Sequence, residues 1–455
     1  MRFIAKTGSE FIFVSQRPHS HFRRLQLVVL LFGLSSLFPY AQVPDFCPVT
    51  DSLLVISQDF QGLKTTAQAV VNRELKNKIG DPFTCRKWEA ERERLQDLDI
   101  FADIELQAVV KDSQVVLHYS FHELPPYIPF VAVSKTDQDG LSLGPALASL
   151  NFLGQGIRAE FITRFGGTTE LQASLSSRRL ANLPLEYDFA VLHVDSYNTF
   201  GGFHEDSWRT KLDLVHQLGH NFNMIYAGEI FQLKTDGQEK SQILLTPKGD
   251  WVPRLGGGMV WDSRDRRHDP RHGLFQEVRL TQNGGWLGGP TDFSEWLSDS
   301  RCYLSWIHGN ILQLAGLYQY RTGEIGQTFG QYDLFHVGGI NTLRGFGHDA
   351  FKGKSEIIFT AENRMDWVKK RTVRLWKWSA YYGLQGVLGL ESASLWDHQA
   401  IFERNFHSGA YAGVHLLIAG VDRIRLEAGS KFAKFVFQTD IGIFEKPEIQ
   451  RFRSR

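Results

Sequence analysis

Between Leu53 and Phe121 the apolar positions change period. Leu53 to Ser57 reads as a short strand before a turn at Gly62. Ala67, Val71, Leu75 and Ile79 then recur at i, i+4, one face of a helix capped by Thr65 or Thr66 and ended by Gly80. A second helix is predicted over "TCRKWEAERERLQDLDIF", with Trp88, Leu95 and Leu98 inward and charges outward. Past it the period drops to two. Ile104, Leu106 and Ala108, then Val115, Leu117, Tyr119 and Phe121, mark two half-buried strands. The predicted order is βααββ, a small α+β module.

From Tyr127 to Phe444 the chain predicts strands and no long amphipathic helix. Segments of roughly ten residues alternate apolar with polar, punctuated by Gly, Asp, Asn and Pro. Trp208, Thr210, Leu212 and Leu214 share one face of a segment, and Arg209, Lys211 and Asp213 the other. Ile424, Leu426 and Ala428 oppose Arg423, Arg425 and Glu427 in the same way, as Phe435, Phe437, Ile441 and Ile443 oppose Gln438, Asp440 and Gly442. A soluble sandwich buries the apolar face, whereas an outer-membrane barrel turns it to lipid and keeps the polar face in the lumen. Mid-strand charges and aromatics near segment ends, such as Trp376 and Trp378, favour the barrel. At about 20 residues per strand and connection, the region holds about 16 antiparallel strands.

Composition agrees. Gly (42) and Phe (34) are abundant and Met (4) scarce, as in a β-protein. Lys+Arg and Asp+Glu are each 50, so no net charge draws the chain to nucleic acid. Arg23 and Arg24 precede an apolar run, Leu25 to Phe38, and a small residue, Ala41. That is the form of a secretory signal peptide over residues 1–41; an uncleaved anchor is the alternative, although the run falls short of the ~20 residues a spanning helix needs. Export permits disulfides. Cys47 and Cys85 share the N-terminal region and are candidates for a pair, leaving Cys302 alone.

The βααββ order and the texture of residues 73–106 resemble a POTRA domain, the periplasmic module attached to outer-membrane assembly barrels. Further along, "GGGMVWDSRDRRHDPRHGLFQEVRL" carries a strand into a dense turn, with Asp262, Arg264 and Asp265 charged and Pro270 and Gly273 shaping the reversal. "GGINTLRGFG" follows, with Leu343, Arg344, Gly345 and Phe346, and then the strand "FTAENRMDW" with Glu362. In this order the parts resemble the BamA/TamA outer-membrane assembly superfamily (bacterial surface antigen family), which pairs POTRA modules with a 16-stranded transmembrane barrel. The resemblance implies that Arg344 sits on an extracellular loop folded back into the lumen and meets Glu362 on the barrel wall. The family's second acid is absent from "SAYYGLQGVLG", Ser379 to Gly389, so the anchor rests on Glu362 alone or uses Glu391. The chain also trails past Phe444 as "EKPEIQRFRSR", where such barrels commonly stop on an aromatic.

The expected layout is a signal peptide at 1–41, a POTRA-like periplasmic domain at 42–126, an outer-membrane barrel at 127–446 and a polar tail at 447–455. No G-x-S-x-G elbow occurs, and "HQLGH" (His216, His220) lies in a period-two segment without the helix and Glu of a zincin. The expectation is a non-enzyme without cofactor or metal. Its partners would be outer-membrane lipids, unfolded β-barrel or secreted clients, and periplasmic accessory proteins. Two other classes stay open: a two-partner-secretion-type translocator for a dedicated substrate, and a structural or lipid-handling barrel.

Overall fold

The structure, a computed structural model, describes residues 52–136, 140–180, 183–198, 203–235, 249–267, 269–339, 342–347, 349–375, 378–397, 405–418, 421–431 and 434–440. The signal segment, Cys47, Trp376, Ile441, Gly442, Ile443 and the tail lie outside them, as do the side chains of Arg423 and of residues 434–440. All described residues belong to one compact unit.

The N-terminal module has the predicted order. β1 (Leu54–Gln61), α1 (Gln68–Asn72), α2 (Cys85–Gln96), β2 (Phe101–Lys111) and β3 (Gln114–Glu123) form a three-stranded sheet ordered β1-β3-β2 under two helices. β1 runs parallel to β3, and β2 antiparallel to it. Val55, Val115, Leu117, Tyr119 and Phe121 face Val70, Val71, Phe83, Trp88, Leu95 and Leu98 in one buried core. Two details differ from expectation. α1 stops at Asn72, and Ile79 is 61% exposed. Its N-cap is Ala67, with no side-chain cap. Thr65 and Thr66 serve a different contact. Their N–H groups donate to the Glu123 carboxylate, at 3.0 and 2.8 Å, and tie the helix entry to β3. A side-chain partner across the module replaces the local cap.

The remainder is one antiparallel sheet of 16 strands. β4 (Tyr127–Thr136), β5 (Gly140–Phe152), β6 (Ile157–Gly166), β7 (Thr169–Ser177), β8 (Leu185–Asn198) and β9 (Phe203–Gln217) are joined by short turns. β10 (Phe222–Thr235), β11 (Asp250–Asp262), β12 (Gly273–Gly284), β13 (Asp292–Ser305) and β14 (Ile311–Arg321) continue the meander. A long connection, residues 322–354, carries the two-stranded β15 (Phe335–Val337) and β16 (Phe351–Gly353). β17 (Ser355–Leu375), β18 (Trp378–Trp396), β19 (His407–Ile418), β20 (Val421–Lys431) and β21 (Lys434–Asp440) complete the sheet. It curls until β4 and β21 approach within 8 Å (Cα–Cα), with no ladder between them among the described residues.

The faces are inverted relative to a soluble protein. Along β9, Trp208, Thr210 and Leu212 are exposed while Arg209 and Asp213 are buried. Arg321 and Arg364 are among the largest fully buried side chains. Such a wall suits lipid outside and a polar lumen inside. We call the end where the module joins β4 the near end. Exposed tryptophans gather toward both ends: Trp261, Trp306 and Trp367 at the near end, Trp208, Trp251, Trp286 and Trp296 at the far end. Two aromatic girdles of this kind mark the interfaces of a membrane barrel.

Candidate functional site

The connection 322–354 opens at the far end and folds into the lumen. Phe329 and Leu334 pack on Phe293 of β13, and Tyr332 on Phe231 and Val252. Val337, Leu343 and Phe346 pack against Ile358 and Ala393 on β17 and β18. Ion pairs reinforce this packing. Asp333 lies 2.7 Å from Arg254 of β11, and the Arg321 guanidinium stacks 3.7 Å above the Phe335 ring.

Arg344 is at the tip, its side chain 11% exposed. Its Nη1 donates to Glu362 at 3.3 Å, and its Nε lies 3.4 Å from Glu391 and 3.3 Å from Glu427. Its backbone N–H donates to Glu391 at 2.6 Å. The guanidinium lies 3.8 Å over the Tyr411 ring, whose hydroxyl donates to Glu362 at 2.6 Å. His415 sits 2.6 Å from Glu427. Four consecutive strands, β17 to β20, therefore each supply a group to this cluster.

The glycines explain the approach. Gly345 has φ +92°, and a Cβ there would come within 2.8 Å of the Ser430 backbone. Only glycine fits without strain so close to β20. The expected Arg344–Glu362 contact is present, but Glu362 is not a sole partner. Glu391 lies near the far end of β18, outside the stretch where the family places its second acid, and Glu427 was missed.

The charged turn lies at the near end, between β11 and β12. Asp262 takes two parallel bonds from Arg264, Nε and Nη2 each at 2.8 Å, and the guanidinium covers the Phe275 ring at 4.6 Å. Asp265 plays another part: it accepts the N–H groups of Arg271 and His272, at 2.9 and 3.2 Å, and holds the turn closed. Gly273 makes the reversal with φ +111°. The turn also reaches into the lumen. Asp269 is buried 3.2 Å from Arg364 and 3.2 Å from Lys370, and the Pro270 carbonyl accepts from Arg364 at 3.1 Å. Arg271 pairs with Asp366. Asp269 did not stand out in a run so dense in charge. The one signal was that Arg364 lies two residues from Glu362, on the same face of a strand.

That spacing joins the two features. Arg364 Nε is 3.6 Å from Glu362, so β17 links Asp269, Arg364, Glu362 and Arg344 in an unbroken line of charges. The module is fastened to the same end of the barrel. Glu74 accepts from Arg179 at 2.7 and 3.2 Å, Asp97 pairs with Arg178 at 3.0 Å, and Asp99 pairs with Arg158 at 2.9 Å. Asn151 donates to Thr66 at 2.8 Å. His216 lies on β9 and His220 in the exposed turn after it. Cys85 is disulfide-bonded and Cys302 is free.

The Omp85 superfamily domain matches residues 151–434, well over half the chain. The chain belongs to the Omp85 superfamily. Among solved structures, BamA from Haemophilus ducreyi lacking POTRA domains 1–3 has the same fold, with a TM-score of 0.53, 14% identity, and coverage of 85% of this chain and 83% of that one. CdiB from Escherichia coli has a TM-score of 0.53 at 12% identity over 93% and 96% of the two chains. CdiB from Acinetobacter baumannii has a TM-score of 0.53 at 12% identity over 86% and 72%. No curated protein sequence matches the chain. At these identities the likeness is one of fold. The Arg344 cluster and the Asp269–Arg364 clamp are thus features of an outer-membrane Omp85 barrel, read from its own residues.

Proposed function

We propose that this Omp85 barrel delivers client proteins to or across the outer membrane at the seam between β4 and β21. The N-terminal module is read as a POTRA-like domain in the periplasm, over residues 42–126 and stapled by Cys47–Cys85, ahead of a barrel over 127–446. One observation carries the choice of route. A path through the lumen has to break the Arg344 cluster and the Asp269 clamp, whereas the two edge strands meet without a ladder among the described residues. β4 also carries Pro129, which has no N–H to give and suits an edge strand.

The module supports the same reading. The outer side of β1 is occupied by residues 80–82: the Val55 N–H donates to the Asp81 carbonyl at 3.0 Å, and the Val55 carbonyl accepts the Gly80 N–H at 2.8 Å. β2 is the other edge of the sheet, with Val109 and Val110 about half exposed. An extended client strand adds to such an edge through backbone hydrogen bonds. Clients are unfolded β-barrel or secreted proteins, and periplasmic accessory proteins bring them to the module.

Deletion of the chain followed by quantitation of outer-membrane and secreted proteins tests the client reading. A specific set should fall, and no change in any of them sinks it. Cysteines introduced into β4 and β21 and cross-linked test the route. Delivery should stop on locking and return on reduction. Delivery through a locked seam points to the lumen instead.

A further inference from the structure

Where β17 leaves the membrane at the near end, its sequence turns from apolar to basic. Trp367 is followed by Lys369, Lys370 and Arg371, with no acidic residue before Glu391. The β17–β18 ladder breaks register twice here, between Asp366 and Val368 and between Val368 and Arg371. Bulges bend a strand and re-aim its side chains. Trp367 is turned outward, 58% exposed, with its indole over Gly386, where a Cβ would lie 2.4 Å from the ring. Lys370 is turned inward to Asp269. Lys369 and Arg371 are exposed, and neither forms an ion pair among the described residues.

We infer that Lys369 and Arg371 form a docking surface for anionic phospholipid headgroups in the leaflet at the near end. Their height fits. They lie two and four residues past Trp367, roughly 7 and 13 Å along the strand at ~3.3 Å per residue, and less along the membrane normal because strands tilt. An exposed tryptophan sits at the headgroup boundary, and the headgroup layer is about 5–7 Å thick. The two cations therefore fall in or just beyond the phosphate layer.

The surroundings also fit. The same outer wall is apolar below them, with Phe359, Leu388 and Leu390 exposed, and exposed Tyr382 stands opposite Arg371 in the ladder. The basic pair is thus continuous with a lipid-covered face, which favours lipid over an acidic protein segment. The clamp on Asp269 accounts for Lys370 and leaves its two neighbours unexplained. Nothing in this inference depends on whether clients are inserted or exported.

The test uses the full chain in a zwitterionic detergent, titrated with phosphatidylglycerol or with phosphatidylcholine of the same acyl chains. Bound lipid is counted by native mass spectrometry. Phosphatidylglycerol should be preferred. Near an anionic surface each cation strengthens binding about fivefold, so Lys369→Ala with Arg371→Ala should weaken phosphatidylglycerol binding roughly 30-fold and leave phosphatidylcholine unchanged. The charge-keeping pair Lys369→Arg with Arg371→Lys should restore the preference. Lys352→Ala, at the far end, should not disturb it. The inference is overturned if the wild type shows no preference, or if the alanine pair keeps it. It is also overturned if poly-glutamate displaces the lipid at equal charge, which would make an acidic protein the partner.

Discussion

Replacing Arg344 with alanine should free the lumen loop while leaving the wall standing. The wild-type guanidinium serves three carboxylates at 3.3–3.4 Å whose side chains are only 1–6% exposed, and it stacks on Tyr411. Removing one partner from a buried ionic cluster costs about 3–5 kcal/mol, because the remaining charges keep their desolvation penalty. Loss of the cation–π contact adds roughly 1 kcal/mol, within the spread of that range. The apolar contacts of Val337, Leu343 and Phe346 remain, so the barrel should still fold. Local opening of the loop scales with this energy, at tenfold per ~1.4 kcal/mol. Proteolysis between β14 and β17, measured from the far side in proteoliposomes, should therefore quicken roughly 100- to 3,000-fold. Arg344→Lys, which keeps a charge but not the planar fork, should fall between the two. Cleavage of Arg344→Ala within threefold of wild type, with both proteins heat-modifiable, would refute the tether.

Further outcomes follow from other contacts. Gly345→Ala should loosen the same loop with every charge intact, since φ +92° and a 2.8 Å clash with Ser430 oppose a Cβ; protease accessibility again reports it. Asp269→Asn should leave Arg364, 1% exposed, with Glu362 as its remaining carboxylate and destabilise the near-end turn by about 3 kcal/mol, seen as faster hydrogen exchange over residues 263–272. Glu74→Ala leaves Arg73, Arg94 and Arg179 facing one another and should speed cleavage at the module–barrel junction near residue 126. Glu91, in the module core, has its carboxyl pushed up by burial, against the N–H groups of Asn77 and Lys76 and the hydroxyl of Tyr119. A raised folded value means the folded module holds the proton more tightly. Its stabilisation is then complete below about pH 4.3, the unfolded value, and is lost as pH rises through the folded one. Amide protection of β1 and β3 should decline across that window, and Glu91→Gln should flatten the decline.

Much of the fold was legible because period-two alternation survives inversion: Trp208, Arg209, Thr210 and Lys211 alternate whichever face meets water. The module was legible for a simpler reason, a core of eleven apolar residues, most of them at helical and strand spacing. Its helix boundaries were not, because Glu123, more than 50 residues away, takes the N–H groups that a local cap would have served. Arg344 and Glu362 announced themselves by glycines and by a charged strand position. Glu427 did not: in "DRIRLEAG" it looks like any lumen acid, and only the curl of the sheet brings β20 beside the loop tip. Asp269 was hidden by company, one acid in a run whose other members serve the turn itself. Pairwise position in a curled wall depends on strand register, and register leaves no local trace when every strand alternates alike.

β17 holds one anchor from each end of the lumen, through two side chains a single pleat apart. Without that strand Asp269 lacks Arg364 and Arg344 lacks Glu362, although Asp265 still closes the turn and Asp333 still ties the loop to β11. With it, each end gains one partner on the same strand. β17, the twelfth of the 16 strands, thus couples the two ends of the lumen, and peeling it away would break a contact at each end at once.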